Sequence, residues 1–320
     1  MKPDAFNKLF GEVSQRQTDT NGAGVDSLGI SIGFSKIDDA IGGLRPDTMT
    51  TIAARTGMGK TSLALSVVYS AICRGHKVSY ISLEMSEPML ILRLISMLTG
   101  AAPNDIERGR LSTQQLQDVK TAIDHLITLP LNIIEQGLAS DQITDYVRNN
   151  YLDTELLIVD HIGILRDPIT DRYTKMSTVS NNVRGVARDL NIPIITLAQL
   201  NRQADHRENH IPTAADLRDS GAIEEDSEIL LFPFRPQYYA ANDPNVPEIL
   251  PGEAERNAKI FIGKNRQGPT GAFDVWFYPH STVWTDKTPP ARLPKSGQSY
   301  VQPPRQFVSG NLANMVKKVS

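Results

Sequence analysis

From Ile30 onward, short apolar runs alternate with longer stretches whose apolar residues recur at helical spacing. The runs MTTIAA (49–54), KVSYISLE (77–84), LNIIE (131–135), LLIVD (156–160), IPIITLAQ (192–199), SEILLFPF (227–234) and AKIFIGKN (258–265) predict strands. Between them the pattern predicts helices from Thr61 to about Arg74, after Ser86 with Pro88 in its first turn, after Ser112, after Ser140, and over 174–190. FDVWFYP and STVWT predict a closing β-hairpin. Strands alternating with helices imply an α/β fold with a mostly parallel central sheet flanked by helices. Outside this block, Phe6, Leu9, Phe10 and Val13 fall at helical spacing, followed by a polar, Gly-rich linker over 14–29. Residues 235–257 are rich in Pro, Asn and Glu and predict a surface loop. The stretch after Lys287 holds five prolines and predicts a flexible tail. The chain thus divides into 1–29, 30–286 and 287–320.

Composition narrows the class. The 320 residues are 40% hydrophobic and 22% charged, enough apolar mass for a sizeable core. The longest uncharged apolar run, Thr61 to Cys73, lies between Lys60 and Arg74 and is too short for a membrane span, which needs about 20 residues. The N-terminus has no apolar signal core. The single cysteine, Cys73, excludes an internal disulfide and a cysteine-based zinc site, and fits a reducing cytoplasm. The net charge of −3 excludes coating of nucleic acid by bulk charge, but it is unevenly spread. From Lys287 on there are six Lys or Arg and no Asp or Glu, so the remainder carries −9.

The strongest local chemistry is ARTGMGKT (54–61), set between a buried strand and an apolar helix. That is the context of a phosphate-binding P-loop. Arg55, Thr56, Gly57, Met58, Gly59, Lys60, Thr61 and Ser62 are its expected nucleotide-binding residues. The glycines let backbone amides turn toward the phosphates, and the helix N-terminus adds its positive dipole end. Lys60 would reach the β- and γ-phosphates, and Thr61 would ligate Mg²⁺. The first position of the motif is Ala54 rather than Gly. Asp160, closing LLIVD, is the expected Mg²⁺ acid. Glu84, closing KVSYISLE, is the expected general base, although by itself it could equally cap the next helix. Gln199 closes a third strand and could contact the γ-phosphate, or be an ordinary strand-end amide. Parallel strands present their C-terminal ends on one edge, so these groups should meet there.

The ordered blocks ARTGMGKT, SLEMS (82–86), LLIVDHIG (156–163), ITLAQLNR (195–202), DLRDSGAIEEDSEILLF (216–232) and KNRQGPTG (264–271) resemble the DnaB-like replicative helicases. The resemblance covers about residues 30–286. It implies a RecA-like motor domain in a homo-hexameric ring, using ATP and Mg²⁺ to unwind DNA in the 5′→3′ direction. It implies Glu84 as catalytic base, Gln199 as sensor, and Lys264 and Arg266 as a pair completing the neighbouring subunit's ATP site. It also implies that Arg218, Asp219 and Gly221 meet single-stranded DNA in the central channel.

Relatives usually carry an N-terminal helical collar that binds primase. With only about 30 residues before the motor, this chain is expected to be a compact phage or mobile-element version. A primase, loader or polymerase partner is expected, and no membrane. The short helix over 3–13 is expected to dock on a neighbouring subunit or on its own. Lesser features carry less: His206 and His210 lie in a loop-like stretch, and Tyr238 and Tyr239 could stack on bases. A non-motor RecA-like ATPase, such as a strand-exchange recombinase or a KaiC-like regulatory ATPase, is the alternative.

Overall fold

The computed structural model describes residues 29–207, 209–240, 247–250 and 252–286, without the side chains of 203, 206 and 218–220. Phe6, Leu9, Phe10, Val13 and the basic tail lie outside the described residues. Among those described, ten strands and nine α-helices follow in order. After α1 (Ser35–Ile41) and β1 (Met49–Ala54) come α2 (Lys60–Cys73), β2 (Val78–Ser82), α3 (Glu87–Thr99), α4 (Pro103–Glu107) and α5 (Thr113–Leu126). Then come β3 (Leu131–Ile134), α6 (Ile143–Asn150), β4 (Leu156–Asp160), α7 (Arg172–Leu190), β5 (Ile194–Gln199) and α8 (Gly221–Asp226). The last elements are β6 (Ile229–Phe234), α9 (Pro236–Ala240), β7 (Lys259–Asn265), β8 (Gly271–Asp274), β9 (Trp276–Tyr278) and β10 (Val283–Thr285).

Eight strands form one sheet in the order β3-β2-β4-β5-β1-β6-β7-β8. The first six are parallel, and β7 and β8 join antiparallel. Helices cover both faces, which explains why the strands read as continuous apolar runs. The period of two still sorts them. Leu156 and Ile158 face one core with α2, α3 and α5, while Leu157 and Val159 face the other with α6 and α7. All five residues of β4 are buried, including the acid at its end.

Three expectations need correction. Ser140 does not cap a helix: it begins a 3₁₀ turn, Ser140–Gln142, and its buried hydroxyl donates to Asp167 at 2.6 Å. Ser112 does cap, in a reciprocal box with Gln115. The predicted hairpin is split: Phe273 and Asp274 belong to β8 in the main sheet, and only β9 and β10 form the separate two-stranded unit. The described part of 235–257 is also more than loop. It contains α9, and the buried carboxylate of Glu255 pairs with Arg235. A carboxylate there survives burial because the guanidinium pairs it in a fork, Nε donating at 2.9 Å. No helix of the described residues is long and apolar enough to cross a membrane.

Candidate active site

The C-terminal ends of β1, β2, β4 and β5 converge as parallel pairing requires. The loop after β1 turns into α2, and its Gly57 and Gly59 adopt φ of +80° and +101°, open to glycine at little cost. Leu63 N–H already bonds the Gly59 carbonyl, so the amides of Lys60, Thr61 and Ser62 remain the unpaired first turn of α2. Lys60 Nζ lies 3.6 Å from Glu84 Oε2 and 3.7 Å from Asp160 Oδ1. The Thr61 hydroxyl donates to Asp160 Oδ2 at 3.0 Å. Gln199 Nε2 donates to the Thr56 hydroxyl at 2.9 Å. The five residues assigned to phosphate, metal, base and sensor roles therefore meet at one sheet edge.

Glu84 lies two residues past β2, and its side chain is 49% exposed, able to face both solvent water and a bound phosphate. Asp160 is the opposite case. Its carboxylate is fully buried, and Oδ1 accepts no hydrogen bond. A buried carboxylate oxygen that accepts no hydrogen bond and meets only the Lys60 ammonium at 3.7 Å suits a cation. Thr61 and Asp160 fit Mg²⁺, and no cluster of three or more acidic, His or Cys side chains among the described residues offers another metal site. Bound there, the ion would supply positive charge against an anionic ligand.

Several predicted nucleotide contacts are confined to the backbone. The Arg55 side chain is turned away, donating to Asp205 at 2.9 Å and to the Leu200 carbonyl at 2.8 Å. Met58 is buried, fastening the loop to the core, and Ser62 is buried with its hydroxyl 3.4 Å from Arg93.

Two neighbours went unread in the sequence. Tyr80 is buried in β2, and its hydroxyl donates to Asp160 Oδ2 at 2.7 Å. Burial and the adjacent Asp160 push its phenol well above the ordinary range, so it stays a donor. His161 lies with Nε2 3.9 Å from Glu84. Burial, then Lys60, pushes its imidazole below the ordinary value, so the ring is neutral at pH 7. Its Nδ1 accepts from Gly163 N–H at 3.2 Å, which places the proton on Nε2, toward Glu84. His161 directly follows the acid of LLIVD, the one signal that could have marked it.

Residues 29–286, which hold this whole constellation, match the model of the DnaB-like helicase C terminal domain. The chain belongs to that family. It is 31% identical over 264 residues to a probable plasmid replicative DNA helicase of Chlamydia muridarum, covering 80% of this chain and 54% of that one. It is 30% identical over 293 residues to the replicative DNA helicase DnaB of Helicobacter pylori strain 26695, covering 82% and 60%. It therefore spans little more than half the length of these curated relatives. Among solved structures, one ATPase domain superposes with a TM-score of 0.79 at 25% identity, over 89% of this chain and 98% of that one. A DnaB-like replicative helicase described with its primase interactions shares the fold, with a TM-score of 0.77 at 24% identity. It covers 89% of this chain and 66% of that one. The RecA-like arrangement of the DnaB-family ATPase domain is thus the fold of residues 29–286.

The other DnaB-family residues lie elsewhere. Arg266 N–H bonds the Glu228 carbonyl, and Glu228 N–H bonds the carbonyl of Met49, the first residue of β1. Lys264 and Arg266 therefore sit at the N-terminal sheet edge, a full strand length from the P-loop. Lys264 Nζ donates to the Glu224 carbonyl, and the Arg266 guanidinium donates to Glu228 at 3.0 Å and to the Glu225 carbonyl at 2.6 Å. Residues 217–221, which hold the three residues expected to meet DNA, run through helical backbone. A 3₁₀ turn, Ala214–Ser220, kinks at buried Leu217 and runs into α8. Buried Asp216 locks it by pairing with Arg207 and accepting from Thr213 N–H. The side chains of Arg218 and Asp219 lie outside the described residues. Tyr239 stacks on His210 at 4.2 Å, so that pair is engaged internally.

Proposed function

We propose that this chain is the motor of an ATP-dependent replicative DNA helicase that works as a homo-hexameric ring, translocating 5′→3′ on single-stranded DNA. The observation that carries this is the separation of the expected ATPase residues onto two opposite sheet edges. Lys60, Thr61, Glu84 and Asp160 occupy one, and Lys264 and Arg266 occupy the other. A nucleotide on the P-loop can be completed by these two cations only from a second copy. A repeated head-to-tail contact of that kind closes into a ring when the rotation permits.

In this reading Lys60 and the α2 amides hold the ATP phosphates. Glu84 accepts the proton of the attacking water, with His161 steering its carboxylate. Asp160 and Thr61 would hold Mg²⁺, which would supply positive charge against the phosphates. Arg266 of a neighbour stabilises charge developing on the transferred phosphoryl group. Gln199 senses that group, and its bond to Thr56 passes the state to the loop.

The DNA would run past residues 217–221. Gly221 supports this: its φ is an ordinary helical −52°, and a Cβ there would meet open space. Neither the backbone nor the packing of the described residues requires glycine there, and the missing side chain leaves the amide open to a ligand. A cleft of about 560 Å³ is bounded by the cations Arg172, Lys175 and Arg202 and, toward the nucleotide site, by Gln199 and the neutral His161. Work in the cytoplasm, with a primase, loader or polymerase, belongs to the same proposal.

Forked duplexes with a 5′ or a 3′ tail, given ATP and Mg²⁺, test it. Unwinding of the 5′-tailed fork alone is expected. ATPase activity without strand displacement on either fork would favour a non-motor RecA-like ATPase.

A further inference from the structure

The P-loop is gripped from behind by three side chains that lie far from it in sequence. The Tyr238 hydroxyl donates to the Thr56 carbonyl at 2.9 Å. Arg235 Nη1 donates to the Gly57 carbonyl at 3.2 Å. The indole Nε1–H of Trp284 donates to the Gly59 carbonyl at 3.2 Å. Such a loop binds phosphate by turning successive amides inward, and that turns its carbonyls outward. A peptide plane whose carbonyl is unheld is free to rotate and carry the neighbouring amide out of the cradle.

The packing agrees with the hydrogen bonds. A Cβ on Gly57 would lie 3.1 Å from the Tyr238 ring, and one on Gly59 would lie 2.9 Å from Trp284 Nε1. Loop and donors are therefore already in contact. Two of the donors are themselves fixed. Arg235 is paired with buried Glu255 and lies 4.0 Å over the Phe277 ring, and Trp284 packs on the same ring at 4.8 Å. Phe277 and Trp284 belong to the β9–β10 hairpin, which is also tied to α2 by Trp284 N–H and the Ser66 hydroxyl at 3.3 Å.

We infer that Tyr238 and Arg235 are positioning residues that hold the Thr56 and Gly57 carbonyls outward and thereby preorganise the phosphate cradle, with Trp284 adding a second donor to the Gly59 carbonyl that Leu63 N–H already bonds. The C-terminal hairpin is thus a working part of the nucleotide site. This rests on reading the loop as the ATP phosphate site. A preorganised cradle favours ground state and transition state alike, so its loss raises KM and Kd rather than lowering kcat.

The test uses the full chain with Tyr238→Phe and Trp284→Phe, read by ATPase kinetics with Mg²⁺ and by calorimetric titration with ADP. Tyr238 is 40% exposed, so phenylalanine there leaves the fold intact. Tyr238→Phe should raise KM for ATP and Kd for ADP about fivefold, the worth of one ordinary hydrogen bond, and Trp284→Phe should raise them less, because the Gly59 carbonyl keeps its bond from Leu63 N–H. The double variant should raise them by the product of the two single effects, because the two donors meet different carbonyls. The kcat should move far less than KM. A merely structural loss would do the reverse, removing active enzyme and leaving KM unchanged. Lys60→Ala separates the two layers of the argument. If it binds ADP as tightly as wild type, the reading of the loop as the nucleotide site fails. If it loses ADP while Tyr238→Phe keeps KM and Kd within twofold of wild type, the bracing role alone is refuted.

Discussion

Arg266→Ala should abolish hydrolysis while leaving nucleotide binding intact, and a second disabled variant should rescue it. The geometry sets both halves. Arg266 sits level with Met49, whereas the P-loop begins after Ala54. Five residue steps of β1 amount to about 17 Å. Beyond that lies the loop itself, so Arg266 cannot reach the nucleotide on its own chain. Its contribution is the loss of ~10³-fold or more expected of an arginine finger. Lys60→Ala destroys the phosphate site but leaves its own Arg266 intact. In rings assembled at random from equal amounts of the two variants, an active interface needs an Arg266→Ala subunit supplying the P-loop and a Lys60→Ala subunit supplying the arginine. That combination occurs at about a quarter of interfaces, so recovery approaches about a quarter of wild-type activity if interfaces act independently. The assay is DNA-stimulated ATPase at 1:1 mixing, with differently tagged variants so that co-purification proves mixed rings. The Lys60→Ala/Arg266→Ala double variant, mixed with Arg266→Ala, should recover nothing. Absence of recovery in proven mixed rings, or near-normal turnover by Arg266→Ala alone, would refute catalysis across the interface.

Three further outcomes follow from individual side chains. Glu84→Gln should still bind ATP yet turn it over at least ~10²-fold more slowly, the usual worth of a positioned base. Normal turnover in single-cycle kinetics would move that role to another group. Tyr80→Phe removes a buried hydrogen bond to the Asp160 carboxylate, worth ~2 kcal/mol. In a domain of this size that should lower Tm by about 4–8 °C in thermal melts, with Mg²⁺-dependent ATPase of the same order as wild type. Cys73 should resist alkylation in native protein at pH 8 and react fully after denaturation. Burial raises its thiol above the ordinary value and so withholds the thiolate. Native-state labelling as fast as that of a free thiol would contradict this.

What the sequence determined by itself is local. β1, β4 and β6 are legible because a strand covered on both faces is a continuous apolar run, and runs such as LLIVD need no partner to be recognised. The P-loop is legible because its spacing and its flanking strand and helix are consecutive in the chain. Placing Glu84, Asp160 and Gln199 with it needed one general rule, that parallel strands present their C-terminal ends on one edge.

Groups brought to the site from a distance were not legible. Tyr80 reads as one more apolar position in a strand, and only the register of β2 beside β4 aims its hydroxyl at Asp160. Arg235, Tyr238 and Trp284 lie about 180 to 225 residues from the carbonyls they hold. Nothing in their local pattern distinguishes them from surface polar and core aromatic positions. The segment 217–221 carries no helical periodicity of its own, and the burial of Leu217 and Asp216 in the interior accompanies its helical backbone. The sheet order likewise decided that Arg266 is remote from its own P-loop. Strand identity is carried by neighbours in sequence, but which strand ends face which loop is set by packing between distant segments.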